Sequence, residues 1–168
     1  DASQTEALSE ASKDPVYENT LVRGNIQRTG VLRGKPVRQL NELAWTVRTK
    51  GAIKSSPVAS SGVVYFGASD DFIYAIDLQT GATKWRVKAK GDVNSGVALH
   101  DGRLYLGTND RKFYCLKADT GRKIWSFDTR GAISSWPVIV EERQLVLFGS
   151  KDGYLYAVDL KTGHEKWK

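Results

Sequence analysis

The sequence predicts an all-β fold, a β-propeller of about three four-stranded antiparallel blades, because three independent markers recur with one period. That period is 40 to 42 residues within a chain of 168 residues. The recurring residues are the tryptophans Trp45, Trp85, Trp125 and Trp167, the glycines Gly51, Gly91 and Gly131, and the Thr-Gly pairs at 80–81, 120–121 and 162–163. Repeats of this length are typical of propeller blades, whereas a two-sheet sandwich does not require so regular a repeat.

Each repeat contains four short strand segments separated by turns. In the first repeat the segments are 56–60, 63–67, 72–76 and 83–87. They are rich in β-branched and aromatic residues, which favour strands, and the residues between them include the Gly, Asp and Ser typical of turns. No window has the period of an amphipathic helix.

The predicted partial propeller covers residues 43–168, with blades at about 53–89, 93–129 and 133–168. Before the first blade, the segment from Leu43 to Val47 resembles the fourth strand of another blade and predicts one orphan strand. Closed propellers have about four to eight blades, and uncapped repeats expose apolar faces. We therefore expect further blades, supplied by a longer parent chain or by other copies in a homo-oligomer.

The first 42 residues differ from the repeats in composition. Residues 1–16 are rich in Ser, Ala and acidic residues and predict a flexible tail. Residues 17–42 contain several Gly and Arg and predict an irregular, basic lead-in. The net charge of +6 is otherwise scattered among acidic residues, and no nucleic-acid-binding motif accompanies it, so we expect no nucleic-acid partner.

The expected location is the periplasm, the cell envelope or the exterior of a bacterial cell. The sequence contains no Met, which we interpret as the loss of an export signal peptide, although trimming by a protease or a chosen chain boundary would give the same pattern. No apolar run reaches the length of a membrane span, so we expect no transmembrane segment. The single cysteine, Cys115, cannot form an internal disulfide and therefore does not decide the compartment.

The segment from Ala75 to Trp85 has the pattern A-x-D-x-x-T-G-x-x-x-W, which resembles the tryptophan-docking motif of pyrroloquinoline-quinone-type β-propellers. The resemblance implies that each tryptophan stacks between neighbouring blades near a Thr-Gly turn, so the motif has a structural role. The middle repeat departs from the pattern, with Cys115 in place of Ala and Lys117 in place of Asp. The motif residues present are Asp77, Thr80, Gly81 and Trp85, then Thr120, Gly121 and Trp125, then Asp159, Thr162, Gly163 and Trp167.

This resemblance includes enzymes, which hold a quinone cofactor and Ca²⁺ with acidic and amide groups, use an Asp base and usually have a vicinal disulfide. One cysteine cannot form that disulfide. The acidic residues Asp70, Asp110 and Asp152 recur at equivalent turns, which favours a structural role. The two histidines have no neighbours at metal-ligand spacing. We therefore predict no enzyme activity, no cofactor, and no catalytic or metal-binding residue.

The segments that precede the first strand of each blade differ between repeats, and in a propeller they line the axial mouth. A serine is shared, at Ser55, Ser95 and Ser135. Differences at equivalent positions are where a repeat protein can encode a partner, although Trp136 can also be a filler packed against a small residue of a neighbouring blade. The candidate partner contacts are Lys54, Ser56, Asn94, Ser134 and Trp136.

These observations predict a non-catalytic scaffold that presents its axial mouth and loops to a protein or polymeric partner. In function the chain resembles the bacterial envelope branch of the family, which includes the propeller lipoprotein of outer-membrane assembly. Two alternatives stay open. One is a segment of a quinone-dependent dehydrogenase or of a quinone or ligand sensor. The other is the binding of a polyanion or glycan through the basic lead-in.

Overall fold

The computed structural model describes residues 43–168, and in them every strand belongs to one of three four-stranded antiparallel sheets. Each sheet is made of four consecutive strands. The first blade contains β1 (Val58–Ser60), β2 (Val63–Gly67), β3 (Phe72–Asp77) and β4 (Thr83–Lys88). The second contains β5 (Ala98–His100), β6 (Arg103–Gly107), β7 (Lys112–Lys117) and β8 (Lys123–Asp128). The third contains β9 (Val138–Val140), β10 (Leu145–Gly149), β11 (Leu155–Asp159) and β12 (Glu165–Trp167). The predicted fold class is confirmed.

The turn between the first and second strands explains why the last repeat is longer. In the first blade this turn is Ser61-Gly62, with φ of 50° and 74°, as two-residue hairpin turns require. The second blade has the same turn at Asp101 and Gly102. In the third blade, a 3-10 helix at Glu141–Arg143 fills the connection from β9 to β10. This longer connection accounts for the spacing of 42 residues rather than 40.

The core lies between the sheets. One cluster of buried apolar side chains joins the first and second blades, and a second cluster joins the second and third. In the second cluster, the ring of Phe113 stacks on that of Phe148 at a centroid distance of 3.9 Å. The first strands are the inner strands, since β5 and β9 contact each other across the blade interface.

Residues Leu43 to Val47, predicted as an orphan fourth strand without its neighbours, are not paired in any sheet among the described residues. A strand requires a hydrogen-bonded neighbour, and no third strand of a preceding blade is among the described residues. Trp45 and Val47 nevertheless pack against the apolar face of the first blade. The predicted flexible tail at 1–16 and the lead-in at 17–42 lie outside the described residues. Between residues 43 and 168, no helix is both long and apolar enough to cross a membrane.

Candidate binding surface at the propeller mouth

Tryptophans join each blade to the next through one repeated hydrogen bond. The indole N–H of Trp85 donates to the carbonyl of Ala118 at 2.9 Å, and that of Trp125 donates to Leu160 at 3.2 Å. Trp45 makes the equivalent bond to Leu78 at 2.9 Å. Trp85 and Trp125 are partly buried against the clusters between the blades. Trp167 is 46% exposed and makes no such bond with the described residues.

The glycine of each Thr-Gly turn supports one of these indole rings. Gly81, Gly121 and Gly163 have φ of 72°, 69° and 73°, a conformation that glycine adopts without steric cost. A Cβ atom at Gly163 would lie 2.6 Å from Cδ2 of the Trp125 ring. The turn therefore requires glycine both for its backbone conformation and for the close approach of the indole.

The motif aspartates stabilise the same turns in the first and third blades. Oδ1 of Asp77 accepts hydrogen bonds from the backbone N–H groups of Gln79 and Thr80, and from the Thr80 hydroxyl. Asp159 accepts the equivalent bonds in the third blade, from Lys161 and Thr162. The backbone N–H of Thr162 is the main cause that lowers the pKa of Asp159 to about 2. Both carboxylates are occupied by local bonds and act on the turn.

Serine side chains anchor the middle of each mouth segment, by which we mean residues 54–56, 94–96 and 134–136. The hydroxyl of Ser95 donates to the carbonyl of Gly107 and accepts from its N–H, both at 2.8 Å. Ser55 and Ser135 bond in the same way to Gly67 and Gly149. The shared serine is therefore structural, and it fixes the divergent residues on either side of it.

The structure places Trp136 against Gly96, a small residue of the neighbouring blade, which is the packing that the filler alternative expected. A Cβ atom at Gly96 would lie 2.6 Å from Cδ1 of Trp136, so the indole lies on the glycine of the neighbouring blade. The N–H of Val97 meets the carbonyl of Ser56 at 3.5 Å. Trp136 keeps 42% of its surface exposed. Gly96 shares a repeat position with Ser56 and Trp136.

The other three candidate residues, Asn94, Lys54 and Ser134, differ in their hydrogen-bond partners within the chain. The Oδ1 atom of Asn94 accepts from the Ser69 hydroxyl at 2.8 Å, so this amide links the first and second blades. Lys54 and Ser134 are exposed, and their side chains make no hydrogen bond or ion pair within the described part of the chain. The candidate surface therefore consists of a half-exposed indole, one amide engaged between blades, and two free polar groups.

The residues from 43 to 168 do not supply the donors of the quinone and Ca²⁺ site that the resemblance implies for enzymes. Across residues 43–168, no three His, Cys, Asp or Glu side chains come together in a group that could hold a metal ion. Asp70 and Asp152 each accept a tyrosine hydroxyl and backbone N–H groups. Cys115 is fully buried, and burial raises the pKa of its thiol to about 11. Asp70, Asp152 and the thiol of Cys115 thus have structural surroundings.

Comparison with known proteins gives one matching family and many similar structures. A family model described as outer membrane protein assembly factor BamB matches residues 37–92 and 69–168. The chain is similar to BamB from Moraxella catarrhalis, with 24% identity and a TM-score of 0.65 over 75% of this chain and 40% of that one. It is also similar to the quinohemoprotein alcohol dehydrogenase from Comamonas testosteroni, with 26% identity and a TM-score of 0.76 over 95% of this chain and 28% of that one.

A computationally designed protein, Ika4, has 22% identity and a TM-score of 0.68 over 77% of this chain and 79% of that one. The chain therefore spans less than half the length of the two natural proteins but most of the length of the designed one. The sequence has no significant match among curated proteins. The similar structures are consistent with the propeller fold, and the family model matches the repeats of the sequence.

Proposed function

Since the chain belongs to the family of the outer membrane protein assembly factor BamB, we propose that it is a non-catalytic propeller module that binds a protein partner at its mouth. The observation that carries this proposal is Trp136, an indole that lies on Gly96 and keeps 42% of its surface exposed. Half-exposed tryptophans are frequent anchors of protein interfaces. The outer-membrane assembly role in the family's description supports a location in the bacterial periplasm or envelope.

A photo-crosslinking side chain introduced at position 136 tests the mouth as a binding surface. In the bacterium from which the sequence comes, we expect a discrete adduct with an envelope protein, identified by mass spectrometry. The matched control carries the same side chain at Thr83, which is exposed on the fourth strand of the first blade. Equal adducts at both positions, or none at position 136, would contradict the proposal.

The main alternative is a segment of a quinone-dependent dehydrogenase or sensor. The TM-score of 0.76 with an alcohol dehydrogenase supports it, whereas the lack of a suitable donor set among residues 43–168 does not. Binding of a polyanion or glycan by the basic lead-in stays a prediction, because that segment lies outside the described residues. A steep dependence of glycan binding on salt would support it.

We also propose that a further blade covers the outer face of the third blade. Leu155 is 52% exposed, whereas the equivalent residues Ile73 and Phe113 are 1% and 0% exposed beneath the next blade. At the other end, Ile53 is 49% exposed, although its equivalents in the other two blades are fully buried against a preceding blade. These two faces are complementary, so a longer chain or a second copy can cover them.

Sedimentation of the 168-residue chain tests this assembly. At micromolar concentration we expect a dimer or a larger species, because an apolar face of this kind favours association. Leu155→Glu puts a charge on the face and is expected to shift the chain to a monomer, whereas Thr83→Glu leaves the assembly unchanged. A monodisperse wild-type monomer, with no longer parent chain, would show that the proposal is wrong.

A further inference from the structure

A second concave surface lies between the first and second blades, at the end opposite the mouth segments. It is a cleft of about 1010 Å³ beside the turns that join the first and second strands of these blades. Its walls combine basic and apolar side chains. The residues that matter for its chemistry are Tyr65, Arg103, Lys117, Arg122, Lys123 and Ile124.

The cleft is basic because the middle blade lacks an ion pair that the other blades have. Lys84 Nζ lies 3.4 Å from Asp77 Oδ2 in the first blade, and Lys166 pairs with Asp159 at 3.3 Å in the third. At the equivalent positions the middle blade has Lys117 and Ile124. The acidic partner and the basic partner are both absent, and a lysine takes the position of the acid.

Further cations surround Lys117. Arg103 is its direct cross-strand neighbour in the β6–β7 register, and like charges at such positions repel each other. Arg122 and Lys123 also line the cleft. None of these four side chains forms an ion pair with any residue from 43 to 168. Only two acidic residues line the same walls, so the cleft has an excess of positive charge.

The turn beside Lys117 also lacks the carboxylate that its equivalents have. In the first and third blades, the motif Asp accepts two successive backbone N–H groups of the turn. An ammonium group cannot accept them, and the N–H groups of Asp119 and Thr120 make no hydrogen bond with the described residues. The Thr120 hydroxyl bonds to the side chain of Asp119 instead. Two N–H donors and a lysine thus stand where a carboxylate would be bound.

Apolar and aromatic groups complete the walls and indicate the kind of ligand. Ile124 is 38% exposed, and the buried Leu99 also lines the cleft. The hydroxyl of Tyr65 makes no hydrogen bond with residues 43–168, whereas its equivalent Tyr105 donates to the carbonyl of Leu160. A ligand that offers carboxylates together with apolar groups fits this mixture. A uniformly charged polyanion fits it less well, because two acidic residues interrupt the basic surface.

We propose that this cleft binds an acidic segment of a protein partner, with one Asp or Glu carboxylate taking the position that the motif Asp has in the other two blades. The proposal rests on the proposed function in one respect, since it assumes a protein partner. It concerns a different surface from the mouth, so the two can be tested separately. Carboxylates bound by N–H donors and a cation form strong, directional hydrogen bonds.

The test uses Lys117→Asp, which restores the motif and fills the position with the chain's own carboxylate. The probe is a short fluorescein-labelled peptide in which Glu alternates with Leu, and a second peptide has Gln in place of Glu. By fluorescence anisotropy at low salt, we expect the 168-residue chain to prefer the Glu peptide. We expect Lys117→Asp to weaken that binding about tenfold or more and to raise the urea midpoint of unfolding.

Opposite changes in binding and stability separate this proposal from simple unfolding. The matched control is Lys161→Asp, which makes the same change of charge in the third blade. Its equivalent in the middle blade is Asp119, so the control also introduces a residue that another blade already has. We expect it to leave peptide binding within about twofold. The double variant with Arg122→Ala and Lys123→Thr introduces the residues that the first blade has at these two positions. It removes two positive charges from the cleft and is expected to weaken binding as well. Equal binding of both peptides, or unchanged binding by Lys117→Asp, would overturn the proposal without affecting crosslinking at position 136.

Discussion

Replacing Trp125 with Ala is expected to lower the free energy of unfolding by about 3–5 kcal/mol. The indole contacts two rings of its own blade, Tyr105 at 6.0 Å and Phe113 at 6.1 Å between centroids. Its N–H donates to the carbonyl of Leu160, and its ring lies on Gly163 of the third blade. The substitution therefore removes packing on two blades and one of the two hydrogen bonds that the Leu160 carbonyl accepts, the other being from the Tyr105 hydroxyl.

The matched control is Trp167→Ala, the same substitution at the equivalent position of the third blade. Trp167 is 46% exposed, and the part of the chain that the structure describes offers its N–H no acceptor. We expect this change to cost about 1 kcal/mol or less. Both variants are compared in the Leu155→Glu background, in which no second copy covers the third blade. Urea unfolding followed by far-ultraviolet circular dichroism measures both without relying on tryptophan fluorescence. Equal losses for the two variants would show that docking does not stabilise the blades.

The sequence was sufficient for the sheets because the strand and turn signals recur in register with one period. The partner of each indole was not predictable in detail. Trp85 bonds to a backbone carbonyl 33 residues away, in the next blade, and a carbonyl has no residue signature. The segment from Leu43 to Val47 shows a second limit of prediction from a local sequence pattern. Its residues match a fourth strand, but pairing depends on a neighbouring strand that a local pattern does not contain.

The candidate sites show the same division between local and distant information. Divergent mouth positions were visible as unequal residues at equivalent places, and packing of Trp136 against a small residue of a neighbouring blade was one of two alternatives. The sequence could not decide between them, because the contact depends on how two blades pack. The substitution of Lys117 for Asp was equally visible. Its consequence was not, because the cross-strand neighbour Arg103 and the turn residue Arg122 join it only after folding. Departures from a repeat therefore locate a site before its chemistry can be specified.

The second large loss of stability is expected at Gly107, the glycine that ends the second strand of the second blade. A Cβ atom at Gly107 would lie 2.6 Å from Cβ of Ile133 and 2.9 Å from its carbonyl oxygen, and closer still to Cγ2. Ile133 is fully buried and directly precedes the mouth segment of the next blade. We expect Gly107→Ala to lower the free energy of unfolding by about 3 kcal/mol, at the upper end of the usual cost of overpacking, because Gly107 belongs to a paired strand and Ile133 is fully buried.

Gly149→Ala is the matched control, since Gly149 has the same position in the third blade. There a Cβ atom would meet only the side chain of Ser135, with its nearest atom at 3.7 Å. Both variants are compared by urea unfolding in the Leu155→Glu background, in which no second copy covers the third blade. We expect Gly149→Ala to change stability by less than about 0.5 kcal/mol.

Adding Ile133→Ala to Gly107→Ala should cost less than the sum of the single changes, since the smaller side chain relieves the clash. Additive losses would show that the blades separate to accept a side chain, and that these glycines do not set the distance between them.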